Sequence, residues 1–485
     1  MTTAAAETST RIEKDSMGEM TVPADALYGA STQRAVLNFP ISGRPAPSGI
    51  LHAYGWLKAA CASVNRDLGL LNDARAEAIV RAATAIATGQ HHEHFPVDVF
   101  QTGSGTSTNM NANEVIANLV CLERGAPLGS SKKPEYVGDR DAGEGVHPND
   151  HVNMGQSSND TFPTAMHIAA AYDVQFFLRP ALVKLAEALE AKASAWDDVV
   201  KIGRTHLQDA TPIRLGQEFS GYAAQARHGV DRCDRMLEKL VELPIGGTAV
   251  GTGINTHPEF GRRVSEWLAV KLGIPFREAD NHFEAQHAKD AIVEASGHLK
   301  TIAVSLSKIA GDIRLLGSGP RCGLGELILP AVQPGSSIMP GKVNPVICEA
   351  VVMACCRVIG NDATVTTAGL GGVGSILDLS LAMPVMAEAS LDSIKILTGS
   401  TNALTDKCVA GLEPDRQRCA DLIERSLAMC TSLAPVIGYD AAAKLAQDAH
   451  ASGRTVREVA LEQGVLDAAK LDELLDPRSM TEPGV

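Results

Sequence analysis

Between Ile292 and Leu316 the apolar residues Ile292, Ala295, Leu299, Ile302, Leu306, Ile309, Ile313 and Leu316 follow one another at alternating steps of three and four. That is heptad spacing. Over this length it specifies one long helix whose apolar seam packs against other helices at a shallow angle. At 1.5 Å per residue the segment spans roughly 37 Å. A second amphipathic helix follows Pro180, with Leu182, Leu185, Leu189, Ala193 and Trp196 on one face. A third begins at Pro345, and a fourth covers 385–404 with Leu391, Ile394, Leu397 and Leu404. The reading is an all-α chain in three parts. Residues 1–152 form an N-terminal mixed, mainly helical domain, 153–412 a central bundle of long helices, and 413–485 a small helical C-terminal domain. Strand candidates are confined to "EMTVPADALYG", and residues 125–146, rich in Gly, Pro and charge, read as an exposed, disordered insert. A seam this long predicts burial against more helices than one chain supplies, hence a homo-oligomer.

Composition narrows the function. Aromatics make up only 4% of the residues, which favours helix packing over a β-sandwich. A formal charge of −14 without a basic stripe excludes a nucleic-acid partner. No apolar run approaches the ~20 residues that span a bilayer. The N-terminus "MTTAAAETSTRIEKDSM" lacks the apolar core of a signal peptide, so a cytoplasmic protein is expected. The ten cysteines are scattered without a C-x-x-C pair and read as buried thiols, with no metal and no cofactor. "HHEHF" (91–95) lacks the helical spacing of a zinc motif and reads as a surface cluster. "GGTAVGTG" (246–253) lacks the glycine order of a dinucleotide site and reads as a tight turn.

Four polar segments interrupt the helical pattern: "QTGSGTSTNMNANE" (101–114), "VNMGQSSNDTFPTAMH" (152–167), "GRTHLQDATPIRLGQ" (203–217) and "GSSIMPGKVNP" (335–345). The last is no phosphate loop. Five residues separate Gly335 from Gly341, and Val343 follows Lys342 where a hydroxyl residue belongs. Each segment reads as Gly, Ser, Thr and Asn placed just before a helix. One such cluster is a cap. Four together suit carboxylate binding at helix N-termini, with Lys342 adding one point charge. The expected ligand is a small dianionic acid.

On these residues the chain resembles the class II fumarases of the fumarase/aspartase superfamily, from "EKDSMGEMTVPADALYGA" (13–30) to "LLDPRSM", with GSSIMPGKVNP as the superfamily signature. Aspartases share the loop but typically carry Gln where this chain has His206. The resemblance implies a three-domain, all-helical subunit. It also implies a homotetramer with a core of about 20 helices and active sites shared between subunits. The implied reaction is the reversible hydration of fumarate to L-malate. Alternatives of other kinds are aspartate ammonia-lyase-like activity, a catalytically silent member, or a dicarboxylate-binding regulator. Carried over, Ser336 matches the catalytic base, and His206, paired with Glu349, the acid or water-activating site. Ser104, Gly105, Thr106, Ser157, Ser158, Asn159, Thr205, Ser337, Lys342, Val343 and Asn344 match substrate-binding positions. His147, Pro148, Asn149 and Asp150 match a secondary dicarboxylate site. There Glu144 replaces the usual arginine, which predicts weak binding through like-charge repulsion.

Overall fold

The chain enters through an antiparallel ribbon, β1 (Thr10–Asp15) against β2 (Gly18–Pro23), where the strand candidate falls. The computed structural model describes residues 9–139 and 143–483. The targeting reading of residues 1–8 and positions 140–142 of the insert lie outside the described residues. The structure is 61% helical, and every sheet among the described residues has only two strands. The fold is all-α, as the heptad seam requires.

The elements that position the site are α1 (Ser48–Asp67), α2 (Thr106–Glu123), α3 (Ser158–Asp173) and α4 (Arg179–Ala195). They continue with the hairpin β3 (Val200–Thr205) and β4 (Gln208–Arg214), then α5 (Leu215–Leu240) and α6 (Asp290–Leu316). Last come α7 (Val346–Gly369) and α8 (Met383–Lys407). Each seam residue of α6, from Ile292 to Leu316, is at most 6% exposed. At ~1.5–3 kcal/mol per buried large apolar side chain, this seam alone favours folding strongly.

That burial is complete within one chain, so the seam itself does not call for a second one. The unpartnered apolar surface lies elsewhere. On α7, Met353 and Ile359 are exposed beside Ala350, Cys356, Gly360 and Ala363.

The chain divides into two compact units. The first comprises Met1–Arg179, Arg232–Thr301 and Arg357–Leu397, the second Pro180–Asp231, Ile302–Cys356 and Thr398–Val485. In the second, the C-terminal helices close a small core of their own around Ile423, Leu433, Leu445, Val456 and Leu471. In the first, the described residues of the Gly-rich insert, 125–139 and 143–146, are held in place rather than free. The Arg75 guanidinium, 1% exposed, donates to the carbonyls of Val137, Asp139 and Gly145, and Ser130 and Ser131 are buried. One buried cation satisfies the backbone that a flexible composition would have left to water.

Candidate active site

In the first unit the N-termini of α2 and α3 converge on a chain of hydroxyls. Ser104 Oγ lies 2.8 Å from Thr106 Oγ1, which lies 2.7 Å from Ser158 Oγ. Ser157 is the N-cap of α3 in a reciprocal capping box with Asp160, so its hydroxyl is committed to the backbone. The Asn159 amide donates to Ala249 O at 2.8 Å, tying α3 to the 246–253 turn. Above these groups opens a cavity of about 380 Å³ lined by Thr106, Asn109, Gln156, Ser157, Ser158 and Thr248 among others. Two helix N-termini edged with hydroxyls suit a carboxylate.

Gly105 makes this convergence possible. Its φ is +72°, and an added Cβ would meet the Phe162 ring at 2.0 Å. Gly105→Ala combines ~1–2 kcal/mol of left-handed strain with ~1–3 kcal/mol of overpacking. Thermal denaturation should therefore show a loss of about 2–5 kcal/mol. A variant as stable as the parent would remove the close approach from this account.

Asp160 lies in the first turn of α3. It is fully buried and accepts N–H bonds from Ser157, Gly246 and Thr248, yet burial still pushes its pKa up to about 6. The "GGTAVGTG" run is thus a turn folded onto a buried carboxylate. Lys58 is buried beside the same cavity, a residue that the sequence reading did not single out.

In the second unit, "GRTHLQDATPIR" is a hairpin and not a helix cap, which corrects the reading of 203–217. Thr205 pairs with Gln208, and the two turn residues His206 and Leu207 have φ of 57° and 61°. Both sit in the left-handed region that a two-residue primed turn demands. Neither is Gly, Asn or Asp, so the turn stores strain of the kind found at functional sites. Its base is fixed: Arg204 grips the fully buried Glu326 at 2.9 and 3.0 Å. The tip carrying Thr205 and His206 is exposed.

The signature loop is braced from within. Gly335 N donates to Lys342 O at 2.9 Å, and the Asn344 side chain donates to Gly335 O at 2.7 Å. Asn344 therefore ties the loop's two ends together instead of capping α7, which begins at Val346. Ser336 Oγ accepts N–H bonds from Ile338 at 3.3 Å and Met339 at 3.0 Å. Ser337, Lys342 and Val343 are exposed, as is Glu349 on the first turn of α7. His206 and Glu349 make no hydrogen bond to each other within the chain, and neither side chain has a hydrogen-bonding partner among the described residues.

The 101–114 run is corrected as well. From Thr106 onward it lies inside α2 instead of preceding it. Glu114 accepts from the backbone of Gly29, Ser31 and Thr32, while Asn118 donates to Leu27 O. Glu114 in the run and Asn118 just beyond it thus tether the N-terminal segment to the helix.

At the secondary site, Pro148–Val152 form a π-turn, and His147 Nδ1 accepts from the backbone of Asn149 and Asp150. Glu144 is paired with Arg124 at 3.0 Å. The repulsion expected from it is therefore largely neutralised. Of the "HHEHF" cluster, His94 Nδ1 accepts from Leu27 N and His92 Nε2 lies 3.0 Å from Ile86 O, so both imidazoles fasten local backbone.

Fold and clusters together describe a helical protein with hydroxyl-edged helix N-termini that suit small carboxylic acids. The lyase family matches residues 18–360, and the fumarase C C-terminus family matches 429–482. The chain is 50% identical over 482 residues to fumarate hydratase class II 2 of Bradyrhizobium diazoefficiens, covering 99% of each. It is 53% identical over 475 residues to fumarate hydratase class II of Halobacterium salinarum, covering 98% of each. Among solved structures, the class II fumarase from Schistosoma mansoni superposes with a TM-score of 0.89 at 38% identity. That match covers 98% of this chain and 100% of the other. The chain belongs to the class II fumarate hydratase family.

Proposed function

We infer that the chain is a lyase that reversibly hydrates fumarate to L-malate. In the dehydration direction a base removes a C3 proton from malate, leaving an aci-carboxylate intermediate, and hydroxide departs from C2. Ser336 is the base, and His206 with Glu349 activates water or protonates the departing hydroxide. The carboxylates rest on Ser104, Gly105, Thr106, Ser157, Ser158, Asn159, Thr205, Ser337, Lys342, Val343 and Asn344. The observation that carries this reading is at Ser336: its oxygen already accepts two backbone N–H bonds, the arrangement that favours a hydroxyl's charged form. Fumarate's ultraviolet absorbance should fall when the protein is added and that of aspartate mixtures should not rise. The reverse outcome would favour an ammonia-lyase.

The family reading extends to three domains per subunit, divided at 152/153 and 412/413, and to a homotetramer with shared active sites. What supports sharing is exposure around the second unit's segments. Leu207 beside His206 is 74% exposed, Ile338 beside Ser337 is 83% exposed, and Met353, one turn beyond Glu349, is 67% exposed. Large apolar groups left bare at each segment suit burial by another copy. His206 and Glu349 then pair between copies. Mixing Ser336→Ala with His206→Gln chains through reversible denaturation should regenerate activity, because hybrids restore some intact sites. No recovery from hybrids that demonstrably form would place each site within one chain. A cytoplasmic place in the tricarboxylic acid cycle follows from the same reading. The 147–150 segment is read as a secondary dicarboxylate site that binds weakly or not at all.

A further inference from the structure

Lys58 lies in the middle of α1 with no exposed surface. Its Nζ is within 2.8 Å of Asn109 Oδ1, 3.0 Å of Asn153 Oδ1 and 2.8 Å of Gln156 Oε1. Three acceptors require three N–H donors. Only the ammonium has three, since a neutral amine offers two and a lone pair. All three amides belong to the wall of the cavity under Thr106, Ser157 and Ser158. That wall holds no cationic side chain among its described residues, although a dianion is its expected guest.

We propose that Lys58 is a positioning residue whose buried ammonium, acting through Asn109, Asn153 and Gln156, supplies the positive charge of this carboxylate pocket. The proposal rests on reading the cavity as a substrate site. The amides transmit the charge by polarisation and by fixed orientation: with their oxygens held by Lys58, they cannot rotate an oxygen towards the incoming anion. A charge behind neutral groups also attracts a carboxylate without a direct ion pair, and salt screens it little.

The surroundings make the charge responsive. Burial lowers the Lys58 pKa to about 7. From α3, Asp160 faces it, itself raised to about 6. From α1 itself come the Tyr54 phenol and the Cys61 thiol, both pushed up by burial and so uncharged near neutrality. α2 and the 153–156 turn face it with amides. As pH rises through about 7 the free protein loses the ammonium, whereas a bound dianion retains it. Dicarboxylate binding must then take up a proton and weaken with rising pH, up to about tenfold per unit.

The test uses succinate, a dicarboxylate that cannot be hydrated, with calorimetry in two buffers of different ionisation heat between about pH 6.5 and 8.5. Proton uptake and pH-dependent weakening are expected in the parent and in His206→Gln, which excludes the imidazole as the source. In Lys58→Met both should vanish, with KM for fumarate raised about tenfold or more and kcat changed far less. Succinate bound by folded Lys58→Met, or by Lys58→Gln where Met does not fold, as tightly as by the parent would overturn the proposal. If that same parent sample hydrates fumarate, the functional reading survives the failure. If it does not, that reading fails separately.

Discussion

Replacing Ser336 by alanine is expected to lower kcat by ~10²–10⁴, the usual worth of a positioned general base, with the fold intact. A serine hydroxyl is normally far too weak an acid to exist as an alkoxide at neutral pH. Here its oxygen accepts the N–H groups of Ile338 and Met339 in a loop braced by Gly335, Lys342 and Asn344. Donors aimed at an oxygen stabilise its charged form, and more so once the site excludes water. Lys342, exposed on the same loop, is the cation that the proposed mechanism sets against the negative charge of the aci-carboxylate. Gly341, with φ of +80°, allows the chain to reverse before Lys342. Because Ser336 is only partly buried, loss of its two loop hydrogen bonds should lower thermal stability only slightly. Ser337→Ala should raise KM more than it lowers kcat.

His206→Gln should cost on the order of 10²-fold in kcat. Imidazole exchanges a proton near neutrality and an amide does not. The hairpin makes this a clean substitution. Its base is clamped by Arg204 on Glu326, with Lys201 Nζ 3.4 Å from the same carboxylate, while the tip touches little. Steady-state kinetics beside sedimentation would read the result. Near-normal hydration in the folded variant would remove His206 from the mechanism.

Long helices were legible because α6 repeats a 3–4 spacing that only a helix can present on one face. The start of α7 was legible to within a residue from Pro345. The hairpin at 200–214 was not, since "THLQ" contains none of the residues that ease a primed turn. The positive φ at His206 and Leu207 overrides local preference. The asparagines of α2 look like a loop in sequence because buried polar groups inside a helix are recognisable only through partners distant in the chain, such as His94 O for Asn111. Lys58 had a signal that went unread: one charge inside the apolar run "ILHAYGWLKAACASV". Buried charges are costly unless satisfied, so such a residue marks a polar network. Ser336, His206, Lys342 and Asn344 were legible as residue types. Their proposed meeting in one site was not, because His206 and Glu349 make no hydrogen bond to each other among the described residues.

The most direct test of the account follows the C3 hydrogen of L-malate in deuterated water by proton magnetic resonance. With the parent enzyme that hydrogen should wash out, and Ser336→Ala should slow the exchange by the same ~10²–10⁴ as turnover. Exchange in Ser336→Ala as fast as in the parent would show that another residue is the base and that the signature loop serves only to cover the site.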